Sequence, residues 1–302
     1  MKLGLWLPPR ENLNQPITPE NPAHIDSRIY QLFLTYLSNK NVDFVENVDF
    51  RDAWVENNKV YNKDICISDL DHLVWMGMID RSPESYHLEI LQTLEMSLQL
   101  HHSYHFYSRA TDKFTAFSEL HKHGIPVSEL YLINANNYDI FESLLQNSSY
   151  LLKPRRSHFG TGIIKIDSYE QLRDTIDYTK YKHYYLEKYY ENDFGQWMGL
   201  TIVNGEVIYG FRKQDSLRTG WKIYDKDHKG GNTYYVAPDA EQIAIAKKIG
   251  KILQANCFGL DIIKTVEGYK VVDVNCSPGI YYDFIQDLKI DIATLFFKML
   301  NI

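Results

Sequence analysis

Cysteine is scarce in this chain of 302 residues. Only Cys66, Cys257 and Cys276 occur, no CxxC pair is formed and the number is odd. Disulfide frameworks are even-numbered, so the three read as free thiols in a reducing cytoplasm. Long apolar runs are absent as well. The opening "MKLGLWLPPRENLNQP" is cut by two prolines and is too short for a signal-peptide core. No window approaches the roughly 18 apolar residues of a membrane span. Positive charge is not in excess: the formal net charge is −7 and the sequence pI about 5.9. Global charge thus gives no case for a nucleic-acid partner. There is no GxxxxGK[ST] and no GxGxxG, which excludes a Walker loop and a dinucleotide-binding turn. Repeats and low-complexity segments are also missing.

What is present is enough for a large core. Hydrophobic residues make up 44% of the chain, and the length suits about two domains. The 23 tyrosines suit strands and half-buried surfaces. "KLGLWL", "VDFVENV" and "HLVWMGMI" read as strands. "HIDSRIYQLFLTYLSNKN" has helical apolar spacing, and "SYHLEILQTLEMSLQLHH" reads as a helix capped by Ser85. "WVENNKVYN" reads as a hairpin on Asn57-Asn58. This alternation predicts a small α/β unit over the first 105 residues or so. Beyond it, "TDKFTAFSELHKHGI" is a helix starting near Thr111 or Asp112 and closed by Gly124. Further strands are expected at "SELYLIN" and "HYYLEKYYE", and helices at "YDIFESLLQNS", "SYEQLRDTIDYT" and "DAEQIAIAKKIGKILQAN". Hairpins are expected on Asn204-Gly205 and Glu267-Gly268. A terminal helix closes the chain.

The stretch "YLLKPRRSHFGTGIIKI" departs from an ordinary hairpin. A turn needs one glycine and no arginine; here Lys153, Arg155, Arg156, Gly160 and Gly162 crowd between two apolar runs. Successive backbone N–H groups in "SHFGTG" can form an anion nest. Alone, the stretch reads equally well as a solvated basic tip. The end of "GLDIIKTVEGYKVVDVNCSPG" is more specific. Asp273 and Asn275 are two apart on a strand and share a face, and the preceding hairpin strand can bring Asp261 beside them. Two carboxylates and an amide oxygen are hard ligands suited to Mg²⁺. "DVN" alone would read as a solvent-facing pair; with Asp261 before it and "SPG" after it, it reads as a metal site. Lys113 at a helix start and Glu187 at the end of an aromatic strand are each unremarkable alone. "HHSYH" places His101 and His105 one helical turn apart, yet no nearby cysteine or acid completes a metal set, so it reads as a surface helix end. Cys276 reads as a loop residue near substrate, and the sequons at 147–149 and 275–277 as chance matches.

Taken in order, "TDKFTAFSELHKHGIPV", "LLKPRRSHFGTGI", "YLEKYY", "GFRKQ" and "GLDIIKTVEGYKVVDVNCSPG" resemble the ATP-grasp superfamily over about residues 107–283. The branch is similar to RimK-type and glutathione-synthetase-like carboxylate–amine ligases. The resemblance implies an α/β (α+β) ATP-grasp fold with a pre-ATP-grasp domain (1–106), a central lid subdomain (107–190) and a C-terminal metal-bearing subdomain (191–302). It implies an ATP- and Mg²⁺-dependent C–N ligase, with Mn²⁺ as the alternative ion, working through an acyl-phosphate. Lys113 and Lys153 match the phosphate-binding lysines. Ser157, Gly160 and Gly162 fall in the phosphate-covering lid, whose cations would compensate triphosphate charge. Glu187 matches the hinge acid that contacts adenine, with Lys188 and Tyr189 giving backbone contacts. Asp261, Asp273 and Asn275 match the metal ligands, Asp273 replacing the commoner glutamate. Arg212 or Lys213 occupies the strand of the catalytic arginine, with Arg212 preferred. The loop "RTGWKIYDKDHKGG" matches one that closes over phosphate and acceptor, which brings in Lys222 and leaves His228 open. Where relatives carry an acid, Gln196-Trp197 stands instead. The implied partners are a carboxylate and an amine, either small molecules or a peptide or protein tail; a homo-oligomer is compatible. A kinase on the same fold and a non-catalytic nucleotide- or peptide-binding module are the other readings.

Overall fold

A computed structural model describes residues 1–11, 24–158, 160–179, 183–191, 194–214, 218–223 and 232–302. His228 and most of the loop around it lie outside the described residues. The first sheet is parallel. Strands β1 (Lys2–Trp6), β2 (Asp43–Val45), β3 (His72–Trp75) and β4 (Gln99–Leu100) lie in the order β2-β1-β3-β4. Helices α1 (Ser27–Asn39) and α2 (Tyr86–Glu95) complete this lobe. A small meander (Trp54–Glu56, Lys59–Asn62, Ile65–Cys66) follows β2. Its first turn places both Asn57 and Asn58 at positive φ, 49° and 64°, as a two-residue hairpin requires.

Two of the expected features of this lobe differ. Ser85 stands before α2, but its hydroxyl donates to the Asp80 carbonyl at 2.8 Å and does not cap the helix. The helix also stops at Glu95, and the chain re-enters the sheet as β4. His101 and His102 therefore follow a strand, and the next helix, α3 (Tyr104–Thr111), begins after them. His105 is exposed and pairs with Arg109 at 2.8 Å.

Helix α4 (Lys113–Lys122) starts where Asp112 accepts the Thr115 amide at 3.2 Å and ends before Gly124, at φ 69°. The second sheet is antiparallel. It is built from β5 (Leu130–Ile133), β6 (Tyr150–Pro154), β7 (Ile164–Ile166) and β8 (Tyr184–Lys188), in the order β5-β8-β6-β7, backed by α5 (Tyr169–Thr179). The third sheet contains β9 (Met198–Val203) and β10 (Glu206–Lys213), then a small pair β11 (Arg218–Thr219) and β12 (Lys222–Ile223) branches off. It continues with β13 (Thr233–Val236), β14 (Phe258–Thr265) and β15 (Gly268–Asn275), in the order β13-β10-β9-β14-β15. Helix α6 (Ala240–Leu253) carries a reciprocal Asp239–Gln242 capping box.

Packing runs between the three sheets. One buried cluster joins Trp75 and Phe106 to Phe117, Leu200 and Leu260. The terminal helices α7 (Tyr282–Asp287) and α8 (Ile292–Lys298) fold back on the first lobe, with the Phe296 ring 4.6 Å from that of Phe33.

Candidate active site

The β14–β15 hairpin sets the register of the acids. Asp261 lies directly opposite Asp273, and Asn275 opposite Gly259. A bulge after Asp261 shifts the ladder just below this point, a device that re-aims side chains. All three residues line one cavity of about 740 Å³ between the sheets and the first lobe. The donor set is all oxygen and suits Mg²⁺. It already holds a cation: the Lys113 ammonium, from the first turn of α4, donates to Asp273 Oδ1.

Across the cavity, Lys153 on β6 and Glu187 on β8 form a second ion pair at 2.8 Å, with 6% and 2% of the side chains exposed. The Tyr185 hydroxyl also donates to Glu187, at 3.3 Å. Burial, joined by the Glu187 charge, drives the Tyr185 phenol well above its ordinary pKa, so it stays a donor. Glu187 thus serves Lys153 and Tyr185 here. The amides of Lys188 and Tyr189 donate to the carbonyls of Glu129 and Ser149, both at 3.0 Å. Their backbone N–H groups are therefore engaged within the fold, and the Lys188 ammonium pairs with Glu129 at 2.9 Å.

The lid bends as its glycines demand. Gly160 and Gly162 sit at φ 68° and 76°, where a side chain would strain the backbone. A Cβ on Gly162 would also stand 2.9 Å from Pro154 Cγ. Lys222, on β12, donates to the Gly160 carbonyl at 2.7 Å and lines the cavity. Burial depresses its ammonium pKa. The Ser157 hydroxyl is buried beside this lid with no hydrogen-bond partner among the described residues.

The two arginines are placed otherwise than the sequence suggests. Arg155 forms a fork onto Asp112, at 3.1 and 2.5 Å, and Arg156 reaches the same carboxylate at 3.4 Å. Arg156 also donates to the Arg81 carbonyl at 3.2 Å, and the Lys113 amide donates to the Arg155 carbonyl at 2.9 Å. They latch the base of the lid to the start of α4, instead of lying free for phosphate.

Arg212 and Lys213 separate by strand alternation. Lys213 lines the cavity with Phe211, and its ammonium lies 5.0 Å from the centre of the Trp197 ring. Arg212 points to the other face, and its Nε is buried without a partner among the described residues. Of the two, Lys213 and not Arg212 lines the cavity.

Arg81 and Trp221 are among the lining residues that the sequence reading did not single out. Arg81, in the loop after β3, donates to the Tyr107 hydroxyl at 3.3 Å and faces the cavity near Asp273 and Cys276. Trp221 meets the Tyr189 ring edge-on at 6.3 Å. Their only signal is a loop position beside a strand end. The Cys276 thiol is buried, and burial pushes its pKa up to about 11, so it is a packing group and not a thiolate.

The RimK-like ATP-grasp domain model matches residues 110–300. The chain belongs to this family. Among curated relatives, a probable alpha-L-glutamate ligase of Aeromonas salmonicida (strain A449) is 24% identical over 177 residues, covering 57% of this chain and 58% of the relative. The chain therefore spans little more than half the length of that relative. Among solved structures, D-cycloserine synthetase DcsG aligns with a TM-score of 0.68 at 15% identity, over 98% of both chains. The D-alanine–D-alanine ligase of Bacillus anthracis aligns at 0.63 and 13%, over 100% of this chain and 95% of the other. These likenesses establish an ATP-grasp fold over nearly the whole chain. No described helix is long and apolar enough to cross a membrane.

Proposed function

We propose that this RimK-like protein is an ATP- and Mg²⁺-dependent carboxylate–amine ligase. The observation that carries this reading is the Asp261–Asp273 register facing Lys153 and the lid across one cavity. The names of its relatives and structural neighbours, a glutamate ligase among them, support a ligase.

A substrate carboxylate oxygen attacks the γ-phosphorus, the bond to the β-phosphate oxygen breaks, and ADP leaves. The amine nitrogen then attacks the acyl carbon, loses a proton, and the acyl–oxygen bond breaks to release phosphate. Such transfer relies on positioning and on fixed charge. Lys153 and the lid glycines hold the phosphates. Lys113 leaves Asp273 for phosphate when the acids take their ion. Asp261, Asp273 and Asn275 would hold Mg²⁺, or Mn²⁺, which neutralises charge on the phosphate oxygens when bound. Lys213 and Arg81 flank the reacting carboxyl from opposite lobes and stabilise the oxyanion. Lys222 ties the lid shut and keeps water from the acyl-phosphate.

The test is an ADP-release screen of carboxylates with amines, small molecules and peptides included, followed by mass spectrometry of products. A ligase yields stable product only with an amine present. A phosphorylated product formed without amine would make it a kinase. Absence of any Mg-ATP thermal shift in a folded sample would count against both.

A further inference from the structure

The histidines after β4 find in the fold the cysteine that the sequence keeps far away. Cys257, in the loop between α6 and β14, lies 155 residues beyond His102. One ligand atom from each of His101, His102 and Cys257 lies within 4.8 Å of the other two. Both ring nitrogens of His101 and Nδ1 of His102 are buried with no hydrogen-bond partner among the described residues. The Trp75 main chain makes a weak polar contact with both rings that falls short of hydrogen-bond geometry. His102 Nε2 is 3.1 Å from the Cys257 carbonyl. A carbonyl only accepts, so Nε2 carries the proton and Nδ1 the lone pair; a metal-bound imidazole is commonly held this way. His101 is fixed between the rings of His102, at 4.0 Å, and Phe296, at 4.5 Å. Burial disfavours protonation of both imidazoles, which leaves them neutral donors. Buried polar atoms without partners are costly, and one shared cation would take one nitrogen from each ring.

We propose that His101, His102 and Cys257 form a second metal site, independent of the ligase reading, for one thiophilic d¹⁰ ion. Two imidazoles and a thiol disfavour Mg²⁺, Ca²⁺ and Mn²⁺ and suit Cu⁺ or Zn²⁺. Charge selects between them. The adjoining cavity of about 120 Å³ is lined by Gln254, Asn256 and Met299 and, apart from the two histidines, by no acidic or basic side chain among the described residues. With the thiolate, Cu⁺ gives a neutral buried complex, whereas Zn²⁺ leaves one uncompensated positive charge. The ion would join β4 of the first lobe to the α6–β14 loop of the third, beneath the terminal helix α8.

The full-length chain, stripped of metal, is titrated with Cu⁺ in reducing buffer and separately with Zn²⁺, desalted, and analysed for bound metal. The expected result is one equivalent per chain with a rise in Tm, retained in Cys66→Ser and reduced about tenfold in Cys257→Ser and His102→Gln. Should the variants fail to fold, pulsed maleimide labelling of the wild-type chain decides: bound ion should slow modification of Cys257 and leave Cys66 unchanged. Tighter Cu⁺ binding supports the charge argument, and binding of Zn²⁺ alone keeps the site and overturns that choice of ion. No uptake, or uptake untouched by both variants with unaltered labelling of Cys257, overturns the site.

Discussion

The ammonium of Lys113 rests on Asp273, 160 residues away, in a place the family pattern gives to a metal ion. One lysine thus stands in for the cation of the acid cluster. If the proposed ligase reading holds, the pair parts when Mg-ATP binds. A double-mutant cycle on Lys113→Met and Asp273→Asn should give a coupling of about 1–3 kcal/mol without nucleotide. With saturating Mg-ATP the coupling in stability should fall toward zero. Asp273→Asn alone should lower turnover by roughly 10²-fold or more while the far-UV spectrum is unchanged. An equal coupling in both states would show that Lys113 never leaves the acid.

The Lys153–Glu187 pair is the more deeply buried of the two. Removing one partner leaves a charge with little water to receive it. Glu187→Gln and Lys153→Met should each destabilise the chain by about 3–5 kcal/mol in urea unfolding. The double variant should recover part of that loss. Losses below 1 kcal/mol for both single variants would mean that water replaces the missing partner.

The latch of Arg155 and Arg156 on Asp112 reverses what two arginines in a glycine-rich loop suggest. Trypsin should cut slowly after either arginine even without nucleotide, because both are held at the base of the lid. Asp112→Ala should accelerate that cleavage several-fold and cost about 1 kcal/mol through loss of the helix cap. Rapid cleavage of the wild-type chain, slowed by Mg-ATP, would restore a freely opening lid base.

Lys213 and Arg212 are adjacent and should behave differently. Lys213→Ala should lower kcat by roughly 10²-fold with little change in Tm. Arg212→Gln should change kcat less than about threefold and act on stability, since its guanidinium faces away from the cavity. The comparison needs only kcat and Tm for both variants, and the opposite pattern would return the catalytic role to Arg212.

Lys222 should set an alkaline limit. Burial lowers its pKa, so on raising pH it loses its charge before an ordinary lysine does, below about 10.5. Activity that needs this charge should decline through that window. Lys222→Arg should keep the charge and move the alkaline limb of kcat/KM upward. An unmoved limb assigns the decline to another group.

Order along the chain was enough to read the ATP-grasp motifs, because each is a local event. Glycines at 160 and 162 mark positive φ, Asp112 marks a helix start, and the two-residue spacing of Asp273 and Asn275 marks one face of a strand. The hairpin likewise made Asp261 a neighbour of Asp273 before any coordinates. What that order could not yield were pairings between distant segments. Asp112 with Arg155, Lys113 with Asp273, and Arg81 against the acid cluster depend on how three sheets and their helices stack. Arg212 and Lys213 were told apart only once the register of β10 chose a face. His101 and His102 read as a surface helix end because a strand ends where a helix was expected and their cysteine arrives from the other side of the fold. Local propensity acts over a few residues; burial of apolar surface brings remote side chains together, and it alone decides which of them meet.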